Sequence, residues 1–173
     1  MTNLLLQTAR LIDQTIDWIG RFVAWLVLVL VLLIIYDVAM RYLLQSGSIA
    51  IQEMQWHLFS VLFLLGAAYT LKDDEHVRMD LIYKCRFLTD RHRAWIDAIG
   101  ALIILIPFCW LIIYCSKSFV EQSYIFNEGS PDPGGLSYRW IIKTMIPVGF
   151  GLLMLQAISE FIKKLLFAIR NDK

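Results

Sequence analysis

Four long apolar runs constrain this chain more than any motif in it. A hydrocarbon layer about 30 Å thick takes roughly 20 apolar residues of helix to cross, and four segments reach that length. The first covers about 18–44, centred on FVAWLVLVLVLLIIY, and the second about 49–71, centred on LFSVLFLLGAAYTL. The third covers about 95–116, with room for a few turns beyond, and contains AIGALIILIPFCWLIIYCS; the fourth covers about 140–169, with TMIPVGFGLLMLQAIS. Each is apolar around most of its circumference, which suits a membrane span better than one face of a soluble bundle. Composition agrees, with 58% hydrophobic and only 18% charged residues and a mean hydropathy of +0.61. The expected fold is an all-α integral membrane protein of four transmembrane helices, a single membrane domain over residues 1–173.

The 16 basic and 15 acidic residues nearly cancel, so no global basic surface points to nucleic acid. Their distribution carries the information. Arg10 and Arg21 precede or open the first span; Lys72, Arg78, Lys84, Arg86, Arg91 and Arg93 fill the link between spans two and three; Lys163, Lys164, Arg170 and Lys173 close the chain. Those twelve share one side, against four on the other, Arg41, Lys117, Arg139 and Lys143. The positive-inside rule then places both termini and the link 72–93 in the cytoplasm. Trp56 and Trp140 fall at the outer interface, with Trp18 and Trp95 at the inner one.

The first 20 residues do not read as a secretory signal, because Asp13 and Asp17 interrupt the would-be apolar centre and no small-residue cleavage site follows. Leu5, Ile12, Ile16, Ile19 and Val23 recur at helical spacing opposite Arg10, Asp13, Gln14 and Asp17. That pattern fits an N-terminal amphipathic segment at the interface or on the bundle, or a plain extension of the first span.

Two charged couples sit near the outer ends of the first hairpin. Asp37 and Arg41, and Glu53 and His57, are each four residues apart, so each shares one helix face where opposite charges offset the cost of a lone ion in the membrane. One reading is an ion or proton pathway. The other is a structural lock on the hairpin, with Arg41 placed to reach Glu53 across the QSGS turn.

Other chemistries fit poorly. His57 is at the outer edge while His76 and His92 are in the inner link, so two imidazoles cannot bracket a haem. Cys85, Cys109 and Cys115 form no CxxC, and nothing resembles a phosphate-binding loop. Pro107 and Pro147 lie inside spans three and four and invite kinks, while Gly66-Ala67-Ala68 and Gly149-Phe150-Gly151 suit close helix packing. NEGSPDPGGLSYRW is a turn-rich outer loop. In the link KDDEHVRMDLIYKCR, Asp73, Asp74 and His76 could meet a metal, but the plainer reading is a cytoplasmic exit. There Leu81, Ile82, Phe87 and Leu88 would lay a short helix on the inner interface.

The run DVAMRYLLQSGSIAIQEMQWHLFSVLFLLGAAYTLKDDEHVRMD resembles the first two spans and following loop of the DctQ-like small membrane subunit of TRAP transporters. The shared pattern has an arginine-aromatic pair closing span one (Arg41, Tyr42), an acid opening span two (Glu53), then Leu65 to Ala68 and a His-Val-Arg-x-Asp signature (His76, Val77, Arg78, Asp80). GGLSYRWIIKTMIPVGFGLLMLQ is similar to the family's fourth span, with Ser137 where proline is expected. The resemblance covers about residues 20–165.

It implies a transporter of three parts in the bacterial inner membrane. A periplasmic binding protein delivers an organic acid to a large elevator-type subunit, sodium coupling resides in that large subunit, and the small subunit is a scaffold without cofactor or catalytic centre. Arg41, Glu53, Trp56, His57, His76, Arg78, Asp80, Arg139, Trp140 and Lys143 are then candidates for structure or docking to the large subunit or binding protein. The alternatives are a self-contained homodimeric carrier with Asp37 or Glu53 as coupling carboxylate, or the membrane anchor of a redox enzyme.

Overall fold

A run of 20 or more apolar residues has no water to satisfy its backbone in a bilayer, and an α-helix closes every peptide hydrogen bond within the segment. The computed structural model describes residues 2–73 and 90–170, and their regular structure is entirely helical. In chain order these are α1 (Thr2–Leu43), α2 (Ile49–Lys72), α3 (Asp90–Gly100), a π-helical turn (Ala101–Leu105), α4 (Ile106–Ile125) and α5 (Trp140–Arg170). The π turn joins α3 and α4 into one rod, so four rods are long and apolar enough to cross a membrane.

The N-terminal amphipathic segment is an extension of the first span, not a separate helix. α1 has 42 residues, about 63 Å at 1.5 Å each, longer than the hydrocarbon layer at any usual tilt. Its buried positions recur every seven residues at Ala9, Ile16 and Val23, with Asp37 two heptads further on. This narrow seam is the one that packing helices at a shallow angle use. The opposite face, including Trp18, Trp25, Leu32 and Ile35, stays exposed. The third span runs a few turns past residue 116, as the sequence allows, and α4 ends at Ile125.

Pro107 explains the π turn. Proline lacks the N–H its helix needs and crowds the preceding turn, and one wider turn absorbs both effects. The Ile106 N–H accordingly bonds back to the Ala101 carbonyl. Pro147 sits inside α5 without interrupting it.

Helix approach depends on two glycines that the sequence did not single out equally. A methyl group on Gly20 would lie 2.4 Å from Tyr69 Cδ2, so α1 and α2 meet there. One on Gly149 would lie 2.9 Å from both Cβ and the carbonyl oxygen of Leu64, so α2 and α5 meet there. Gly66 and Gly151 face open space instead, which corrects the expectation that both small-residue stretches pack closely along their length. Ala68 is fully buried. In α4, Cys109 is buried and Cys115 exposed.

The turn at 44–48 and the loop 126–139 lie at one end of the bundle, and the two ends of the chain's helical path lie at the other. The expected inner helix with Leu81, Ile82, Phe87 and Leu88, the candidates His76, Arg78 and Asp80, the metal-site residue Asp74, and Cys85 lie outside the described residues.

Candidate functional site: the loop end of the bundle

Glu53 is the centre of this end. It projects from the first turns of α2, is almost wholly buried, and faces the 126–139 loop across nearly eighty residues of sequence. The Ser130 hydroxyl donates to Oε1 and the Leu136 N–H donates to Oε2. A carboxylate accepting two donors holds a loop more firmly than a neutral acceptor would. The loop closes on itself as well: Ser130 N–H donates to Leu136 O at 2.9 Å, and Gly135 N–H to Asp132 O at 3.0 Å.

The glycine pair in this loop now has a physical reason. Gly134 has φ +84°, a left-handed conformation that side chains disfavour. A methyl on Gly135 would stand 2.4 Å from Ser130 Oγ and 2.8 Å from Glu53 Oε2. The backbone can cross the carboxylate there because no side chain intervenes.

Lys143, three residues into α5, donates to the Glu128 carboxylate and lies 4.0 Å from the centre of the Phe119 ring. The Lys143 ammonium beside Glu128 holds its carboxyl below the usual carboxylate range. Arg139 N–H donates to Glu128 O at 2.9 Å, and the Arg139 guanidinium lies over the Trp56 ring at 5.8 Å. Trp140 meets Tyr124 edge to face at 5.4 Å.

Of the sequence candidates, Glu53, Trp56, His57, Arg139, Trp140 and Lys143 therefore come together at this end. Arg41 does not join Glu53 across the QSGS turn; it bonds Asp37 within α1, because Glu53 is engaged by Ser130 and Leu136. His57 does not pair with the Glu53 carboxylate either. Its Nδ1–H donates to the Glu53 backbone carbonyl at 2.6 Å, and its ring tilts against Trp56. Asp37 is buried, and its Oδ1 has no hydrogen-bond partner among the described residues.

A second polar cluster, at the opposite end, was missed. Asp13 accepts from Ser159 Oγ at 2.9 Å, Gln156 Nε2 at 3.1 Å and Lys163 Nζ at 3.2 Å, while Asp17 pairs with Lys72. Lys164 pairs with Asp97 at 3.5 Å. Asp13 and Asp17 thus turn toward the bundle, so of the arrangements the sequence leaves open the helix is packed on the bundle as an extension of the first span, with these two acids inside the packing instead of opposite it. The signal was present on α5, where Gln156, Ser159 and Lys163 recur at helical spacing in an apolar span. Among the described residues no three His, Cys, Asp or Glu side chains come together as a metal site would require.

Four membrane-crossing rods, with charged groups tied to one another at both ends, define a multi-pass membrane protein. The chain belongs to the DctQ family: residues 30–167 match the family described as tripartite ATP-independent periplasmic transporters, DctQ component. It is 28% identical over 112 residues to the C4-dicarboxylate TRAP transporter small permease protein DctQ of Pseudomonas aeruginosa, covering 61% of this chain. The chain spans 52% of that relative's length. By that description the family is one of components of tripartite transporters.

Proposed function

We propose that this chain is the scaffold subunit of a sodium-coupled TRAP transporter for organic acids in the bacterial inner membrane. It braces the large elevator-type subunit and helps dock the periplasmic binding protein, with Na⁺ coupling in the large subunit. In this reading the loop end faces the periplasm and both termini face the cytoplasm, which the excess of Lys and Arg at the opposite end supports. The observation that carries this reading is the use of Glu53. Its carboxylate, a natural candidate for coupling, is occupied in fixing the 126–139 loop. Fixed loops at one end and interhelical ion pairs at the other suit a static element against which another slides.

One observation favours the self-contained carrier, in which Asp37 binds the coupling ion: its Oδ1 is buried without a hydrogen-bond partner. Co-expression with the large subunit separates the two. A scaffold copurifies one-to-one with it, and Asp37→Asn leaves uptake by the complex coupled to sodium. Loss of coupling with assembly intact would favour the carrier.

A further inference from the structure

The loop end of α2 and α5 encloses a recess that the scaffold role does not use. Its volume is about 380 Å³, within the range of small-ligand sites. Phe59 and Phe63 of α2 and Ile142 and Ile146 of α5 wall it, and Phe119 of α4 contributes. Trp56, Arg139 and Lys143 stand at its rim. Phe59 and Phe63 are 61% and 69% exposed, so the recess opens sideways toward whatever surrounds the helices.

Polar and apolar parts are separated along the helix axis. Trp56 and Arg139 contact one another at the loop end, whereas Phe63 lies seven residues, about 10 Å, deeper along α2. The two cations at the rim differ. Lys143 is already neutralised by Glu128. The guanidinium of Arg139 rests on the Trp56 face; the Glu53 and Glu128 carboxylates attract it at longer range, and among the described residues no carboxylate is seen within ion-pair distance of it. Guanidinium presents a planar fork that matches phosphate oxygens two at a time.

We propose that this recess binds one phospholipid of the surrounding leaflet, with its phosphate on Arg139 and one acyl chain along Phe59, Phe63 and Ile146. The bilayer supplies that ligand at the depth where the recess opens, and a charge at the boundary above an apolar slot matches the lipid's division into head and tail. Trp56 fits the same boundary, where its ring is at home between headgroups and hydrocarbon. A seated lipid would fill the space between α2, α4 and α5 next to the Glu53-held loop.

The test is native mass spectrometry of the chain, purified in mild detergent and titrated with dioleoylphosphatidylglycerol. The wild type should retain one phospholipid. Arg139→Gln should weaken its retention about tenfold, the scale of one charge-assisted contact. Ile146→Trp fills the slot without touching the phosphate site and should abolish retention; Ser60→Phe, from α2, provides a second obstruction should either variant fail to fold. Equal lipid retention in the wild type and the folded variants would overturn the proposal. So would photo-crosslinking from position 63, in membranes containing the large subunit, that captures that subunit's side chains instead of lipid.

Discussion

A single methyl group at Gly149 tests how α2 and α5 are held together. The added carbon would sit 2.9 Å from Leu64 Cβ and 2.9 Å from the Leu64 carbonyl oxygen, against an optimal carbon separation of about 3.5–4.0 Å. Backbone on one side and a Cβ on the other cannot rotate away, so the helices must part by roughly 0.5–1 Å. Overpacking of this kind costs about 1–3 kcal/mol. Alanine's helix preference over glycine returns up to about 1 kcal/mol, leaving Gly149→Ala destabilised by about 0–2 kcal/mol. Gly151→Ala, two residues away, is the matched control, because nothing lies within 4 Å of its added methyl. It keeps the helix gain without the clash. The difference between the variants is the packing cost alone, roughly 2–12 °C in melting temperature for a chain of this size. Thermal unfolding in one detergent, followed by tryptophan fluorescence, measures it. Identical melting of the two variants would refute the close approach at Leu64 and the account of why glycine stands at 149.

Three further outcomes follow from the charged clusters. Glu53→Ala should release the 126–139 loop, raising hydrogen exchange at Leu136 and Ser130, while Glu53→Gln, which can still accept one bond and donate another to Ser130, should release it less; equal protection in all three proteins would contradict the latch. Glu128 has its folded pKa lowered by Lys143, so the ion pair's stabilisation is present above the ordinary carboxylate value of 4.5 and is lost as pH falls through the lower folded value. Melting temperature should therefore fall on that acid limb in the wild type and show a smaller decline in Glu128→Gln. A double-mutant cycle of Asp13→Asn and Lys163→Met should give a coupling of roughly 0.5–1 kcal/mol, as partly exposed interhelical contacts do; strict additivity would show that the pair does not join α1 to α5.

The four spans were legible because a run of about 20 apolar residues leaves a bilayer-embedded chain few alternatives. Their ends were less so. In KSFVEQSYI, residues 117–125, polar side chains blur where the third span stops, and it stays helical to Ile125 in α4, where Phe119 lies under Lys143 and Tyr124 meets Trp140. Such tertiary contacts leave no local period. For the same reason Asp13 and Asp17 looked like a wetted face, since their partners are 143 or more and 55 residues away. At the loop end, residue choice pointed to the right side chains but not to their pairing. Local i,i+4 spacing suggested Glu53 with His57, while the bond that forms reaches to Leu136, 83 positions on. The one hint was the joint presence of an acid opening span two and a Gly-Gly-Leu loop, whose glycines are explained only once the carboxylate lies beneath them.

The central claim is that this chain braces a transporter and does not itself carry substrate. The direct measurement is uptake of a radiolabelled organic acid into vesicles under an inward sodium gradient, with the binding protein supplied at the loop-end side. Vesicles holding this chain alone should take up none, vesicles holding it with the large subunit should accumulate the acid, and the large subunit without it should lose assembly and uptake together. Sodium-driven uptake by this chain alone would contradict the account.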